Sequence, residues 1–155
     1  MIRPSPVLAL AREAANRHAI ELLAFSSAVF PGSSVVKDIV AQRLVEIGVA
    51  FAVNARRCFE VDGSRPIIDA QRFNYAPLPS VISEKDFRRA LNGIVHARKL
   101  RVMFRESHLG VFSDHENTVP TEFEYETDQF PQTTRVDIFG LAWCHLKFGL
   151  FAWET

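Results

Sequence analysis

Two long apolar stripes at helical spacing, separated by Pro31-Gly32, constrain this chain more than any other feature. Ahead of the break, Leu8, Ala11, Ala15, Ala19, Leu22 and Leu23 recur opposite Glu13, Arg17 and Glu21, as in a helix with one buried face. Ser5-Pro6 supplies a capping hydroxyl followed by a proline that the first helical turn tolerates, so a helix is expected from there to about Phe30. Pro31-Gly32 ends it, because proline has no amide hydrogen for a helix interior. Ser33 or Ser34 then caps a second helix. There Val36, Val40, Leu44, Ile47 and Phe51 form a stripe, and further apolar residues cover much of the circumference. A helix apolar on so many sides belongs at the centre of the molecule.

Asp62-Gly63, Pro66, Pro77 and Pro79 mark a connection of about twenty residues, either a functional loop or a packed irregular excursion. Ser83 and Asp86 have the spacing of a capping box, and a third helix is expected from Ser83 to near Lys99. Arg101 to Arg105 and Thr121 to Thr127 read as short strands, the second alternating Glu122, Phe123, Glu124, Tyr125, Glu126 as a half-exposed strand does. Thr134 and Asp137 repeat the capping spacing ahead of an apolar helix ending near Trp153. The segment from Val136 to Trp153 contains Asp137, His145 and Lys147. It falls short of the roughly 20 apolar residues that a membrane span needs, so a buried helix is expected and no membrane partner. The expected fold class is therefore mainly all-α: a single domain over 1–155, a four-helix bundle with a small β-hairpin insertion between the third and fourth helices.

Composition narrows the function. Eighteen Lys and Arg balance eighteen Asp and Glu, so the chain lacks the overall positive field that holds a protein along a duplex, and any nucleic-acid contact is local. Cys58 and Cys144 lie far apart with no ligand spacing, which excludes a disulfide framework and a zinc site and favours a reducing cytoplasm. Arg12, Glu13, Arg17 and Glu21 interrupt the apolar run that a secretory signal requires. Asp114-His115-Glu116, with His108, read as a solvated loop tip rather than a metal site, and His18, His145 and Cys144 as structural. No phosphate-binding loop, dinucleotide fingerprint or nucleophile elbow is present, so no cofactor is expected.

The third helix carries the informative pattern. At about 100° per residue, Phe87, Leu91, Ile94 and Val95 cluster on one side, while Lys85, Arg89, Asn92, His96 and Lys99 fall on the other within a sector of roughly 80°. An exposed face carries such residues simply because it is wet. The same ridge, however, combines a planar cation fork for phosphate oxygens with an imidazole that exchanges protons near neutrality and an amide able to orient either.

The run Arg88-Arg89-Ala90-Leu91-Asn92-Gly93-Ile94-Val95-His96-Ala97 resembles the signature of HEPN domains. In these all-helical proteins an arginine precedes a histidine by about four to six residues on a late helix of a four-helix bundle. The Asn-x-Ile-Val-His-Ala tail is similar to HEPN-like sequences of bacterial toxin and defence proteins. The resemblance implies a homodimer whose Arg/His helices face each other to form a metal-independent endoribonuclease, with an antitoxin protein as a further partner. Some members lack activity and serve as binding or dimerisation modules. Carried over, Arg89 is the motif arginine, Asn92 the intervening polar residue and His96 the motif histidine, with Lys85, Arg88 and Lys99 as substrate-binding cations. Arg88 competes with Arg89 for the arginine's role. The hairpin insertion and the proline-rich loop depart from the family's core pattern. The implied reaction is attack of a ribose 2′-hydroxyl on the adjacent phosphate, which makes RNA the substrate.

Charge changes sign along the same stretch: Glu84 to Arg105 holds seven basic and two acidic residues, whereas Glu106 to Asp137 holds one basic and eight acidic. Two solvated patches account for this. A sharper expectation is that Glu122, Glu124 and Glu126 fold near the basic helix and compete there with RNA phosphate.

Overall fold

Both capping serines at the first two helices perform as expected, the Ser5 hydroxyl accepting the Leu8 N–H at 3.2 Å and the Ser33 hydroxyl accepting that of Val36 at 3.2 Å. The computed structural model describes residues 5–60, 63–114 and 116–152. Its elements run α1 (Pro6–Ser27), β1 (Phe30–Pro31), α2 (Ser34–Phe59), β2 (Ile82–Ser83), α3 (Phe87–Val95), β3 (Ala97–Glu106), β4 (Asn117–Thr127), β5 (Thr134–Asp137) and α4 (Ile138–Ala152). Among the described residues no helix is long and apolar enough to cross a membrane.

The four expected helices all form, but the mainly all-α four-helix bundle does not. The described residues contain a five-stranded mixed sheet, and the fold is α/β. The expected hairpin exists as β3 and β4, paired antiparallel from Ala97↔Thr127 to Glu106↔Thr118. It is longer than expected and is not an insertion, because β4 also pairs antiparallel with β5 from Glu122↔Asp137 to Tyr125↔Thr134, and with β1 through Phe30↔Thr118. Since β3 and β5 both pair with residues 122–125, they lie on opposite edges of β4. The parallel partner β2 extends the sheet beyond β5. Three segments change state under this pairing. Ser83 is a strand residue rather than a helix cap, Ala97 to Lys99 leave the third helix for β3, and Thr134 opens β5. Backbone groups that a helix would satisfy locally are satisfied here across the sheet, as in Glu84 N–H to Arg135 O at 2.9 Å.

Alternation along β4 assigns its two faces. Phe123 and its partner Val136 enter the core against α2, where Gly48 leaves the space; a β-carbon at Gly48 would lie 2.5 Å from Phe123 Cζ. α2 is central as expected, packed against α1, α3, β1 and β3. The other face carries Glu124, which receives the guanidinium groups of Arg101 on β3 and Arg135 on β5, the latter at 2.7 Å. Burial opposes ionisation of Glu124, but these hydrogen bonds outweigh it and hold the carboxyl below its usual range. Glu126 pairs with Arg98 at 3.7 Å. Glu124 and Glu126 are thus paired with arginines of β3 and β5, and not with α3.

The long proline-marked connection is a packed excursion. Ile68 is buried, and the Tyr75 hydroxyl donates to Asp137 Oδ2 at 2.5 Å. Asp137 Oδ1 accepts the Gly140 N–H at 2.6 Å, so Asp137 itself caps α4, in place of Thr134, to which the spacing gave that role. Burial, above all, pushes Asp137 above the ordinary carboxylate range and Tyr75 above that of a phenol.

His145 on α4 is 3% exposed, packed among Phe51, Phe59 and Phe87, with Nε2 2.9 Å from Asn16 Oδ1. It is structural, as expected. Burial, reinforced by the charge of Arg12, brings its pKa down to about 4. Because the folded value lies below the unfolded one of about 6.5, unfolding takes up a proton over this interval, and stability falls as pH drops from about 6.5 to about 4. At about 1.4 kcal/mol per pH unit, chemical denaturation between pH 7 and 4.5 is expected to show about 2–3 kcal/mol more acid destabilisation in the wild type than in His145→Gln. Equal slopes in the two proteins would remove this account.

Candidate functional site

α3 is short and well capped. Asp86 Oδ1 accepts the Arg89 N–H at 2.9 Å, and the helix stops after Val95, with His96 as its C-cap and the His96 N–H bonded to Asn92 O at 3.0 Å. The expected continuous helix from Ser83 to Lys99 is therefore cut at both ends by the sheet. The central part of the ridge survives this truncation, since Arg89, Asn92 and His96 remain on one exposed flank. Arg89 and His96 stand roughly 10 Å apart along the axis, seven residues at about 1.5 Å each.

This flank forms one wall of a cavity of about 630 Å³, a size typical of small-ligand sites. Arg89, Asn92, Gly93 and His96 line the α3 side. The register partners Tyr125 and Thr134 line the sheet side, on the same face as Phe123 and Val136. Asp128, Gln129 and Phe130, in the connection between β4 and β5, form the rim, and Ile82 and Glu84 complete the enclosure. The close approach of helix and sheet depends on Gly93, where a β-carbon would lie 2.2 Å from Tyr125 Cε2.

Of the residues singled out in the sequence, Arg89, Asn92 and His96 are brought together on this cavity, whereas Lys85, Arg88 and Lys99 are not among its lining residues. Lys85 precedes α3 and donates to Gln71 Oε1 at 3.2 Å; Arg88 is half-buried; Lys99 lies exposed on β3. Arg89 is thus the arginine that shares a cavity with His96. Among the described residues no three His, Cys, Asp or Glu side chains form a metal-binding group. His115 lies outside the described residues, and His108 and Asp114 are exposed in the hairpin loop. Cys144 is buried, with its thiol pushed up to about 12 by burial, which keeps it protonated and unreactive.

Two cavity residues escaped sequence reasoning. Glu84 is only 8% exposed, and among the described residues the one donor to its carboxylate is the Asp86 N–H at 3.1 Å. Tyr125 is 5% exposed, and its hydroxyl has no hydrogen-bond partner among the described residues. Burial, with the negative charge of Glu84 adding to it, raises the Tyr125 pKa well above the ordinary phenol value, so the hydroxyl keeps its proton. The alternation of β4 already placed Tyr125 on the face of Phe123; no local signal tied Glu84 to either.

Comparison with protein-family models, with curated proteins and with solved structures gives no match to this chain.

Proposed function

We propose that this α/β chain is a metal-independent endoribonuclease of toxin or defence type, with Arg89, Asn92 and His96 as its reacting groups. The observation that carries the reading is that these three side chains line one cavity although α3 is only half as long as the ridge required. His96 takes the proton from the ribose 2′-hydroxyl as its oxygen attacks the adjacent phosphorus. The bond to the 5′-oxygen then breaks, and that oxygen leaves with a proton returned from the imidazolium or from water. The guanidinium of Arg89 meets the negative charge that builds on the phosphate oxygens, and Asn92 orients the ring or the phosphate. The products are a 2′,3′-cyclic phosphate and a free 5′-hydroxyl.

The HEPN resemblance supports the pairing of arginine with histidine, while the bundle it implied is replaced by the sheet. In a HEPN homodimer a second copy closes the cleft; here the chain's own β4 and β5 supply a wall opposite α3. Both cysteines are buried and free, which suits the cytoplasm as the site of action.

Incubating the purified chain with mixed RNA in excess chelator tests the proposal, with cyclic-phosphate and 5′-hydroxyl ends expected. RNA left intact across pH and salt would sink it. The non-catalytic binding module would then stand.

A further inference from the structure

The cavity holds two polar groups that cleavage does not use. Glu84 is more than nine-tenths buried, forms no ion pair among the described residues and accepts one backbone N–H through Oε1. A carboxylate has about four acceptor positions, so most of its capacity is unspent. Beside it, the Tyr125 hydroxyl has no hydrogen-bond partner among the described residues, but it lies against Gly93 of α3 with essentially no solvent contact and so is not presented to a ligand. At the rim, Phe130 is 68% exposed and held by a tight turn in which its N–H donates to Thr127 Oγ1 at 3.0 Å and its carbonyl accepts the Thr127 N–H at 3.2 Å. The cavity therefore presents a cation and an imidazole at one wall, the acceptor-rich Glu84 carboxylate at another, and an aromatic ring at its mouth.

A ligand that satisfies all of these is anionic at one end and carries a flat ring with adjacent N–H donors at the other. We propose that the cavity selects a guanine nucleotide, with Glu84 accepting from the base N1–H and N2–H and Phe130 stacking on the ring. Guanine is the RNA base that sets two N–H donors side by side next to a carbonyl acceptor; adenine and cytosine offer one amino group on that edge, and uracil one ring N–H. Aromatic stacking supplies affinity for any base, so discrimination falls to Glu84. The assignment rests on the cleavage reading for the phosphate end alone: the scissile phosphate on the 3′ side of the bound guanosine meets Arg89 and His96.

The test is calorimetric binding of the four nucleoside 3′-monophosphates to the full chain in chelator. Guanosine 3′-monophosphate is expected to bind about tenfold more tightly than the other three, as one bidentate base contact provides. Glu84→Gln keeps an acceptor for the Asp86 N–H and is expected to bring the four affinities within about twofold of one another, because the amide presents a donor where guanine needs an acceptor. Equal affinities in the wild type, no binding of any of the four, or a preference untouched by Glu84→Gln would overturn the inference. Selective guanosine binding by a chain that leaves RNA intact would sink the cleavage reading and keep the subsite; cleavage with no base preference would do the reverse.

Discussion

His96→Ala is expected to lower RNA cleavage by about 10²- to 10⁴-fold, the usual contribution of a positioned general acid–base group. Stability should move little. His96 is the C-cap of α3 with an exposed side chain, its backbone bond to Asn92 O is retained in alanine, and surface substitutions of this kind cost about 0.5 kcal/mol or less. The combination of lost activity and an unchanged melting temperature is the diagnostic result. Arg89→Ala is expected to give a loss of about 10²- to 10³-fold, since it removes stabilisation of charge that develops only in the transition state. Arg88→Ala is not expected to match it, because Arg88 does not line the cavity. Single-turnover cleavage of a labelled RNA measures all three. A His96→Ala protein that cuts at the wild-type rate would show that the activity belongs elsewhere.

Gly93→Ala is expected to destabilise the fold by about 3 kcal/mol, and the sign is decided by two opposed magnitudes. Alanine in a helix interior is worth about 1 kcal/mol over glycine. Against this, the added methyl would lie 2.2 Å from Tyr125 Cε2, 2.6 Å from Cζ and 2.8 Å from the hydroxyl oxygen. Overpacking typically costs about 1–3 kcal/mol and occasionally more. Here the ring is 5% exposed on a central strand paired along both edges, so it cannot swing aside cheaply. The clash therefore wins, and a chain of this size should lose roughly 6–12 °C in melting temperature. In a Tyr125→Ala background the obstacle is gone, and Gly93→Ala should become neutral or stabilising by up to about 1 kcal/mol. A Gly93→Ala cost that persists in that background would mean that something other than the ring sets it.

The helices were legible because their signals are local. Ser5, Ser33 and the alternating apolar faces act within a few residues of themselves, and the corresponding caps and buried stripes are present in α1 and α2. The alternation of β4 was legible too, but the half-exposed strand it predicted is not found: Glu122 and Glu124 are buried along with Phe123 and Tyr125, because neighbouring strands and their arginines cover that face. Ser83 misled because its spacing to Asp86 fits a capping box, yet its backbone is drawn into pairing with Arg135, far along the chain. Ala97 to Lys99 misled for the same reason, being residues a helix accepts readily but which β4 captures through Ala97↔Thr127 and Lys99↔Glu126.

By itself, then, the order of side chains determined where α1 and α2 start, which face each presents inward, and that a guanidinium, an amide and an imidazole share one flank of α3. All of that follows from a fixed rotation per residue. Only the folded chain decided that β4 would be gripped on both edges, that α3 would end at Val95, and that Glu84 would join Arg89 and His96 on one cavity while Tyr125 packs against Gly93. Those outcomes depend on hydrogen bonds between segments tens of residues apart, and no local periodicity records which distant strand will supply the partner.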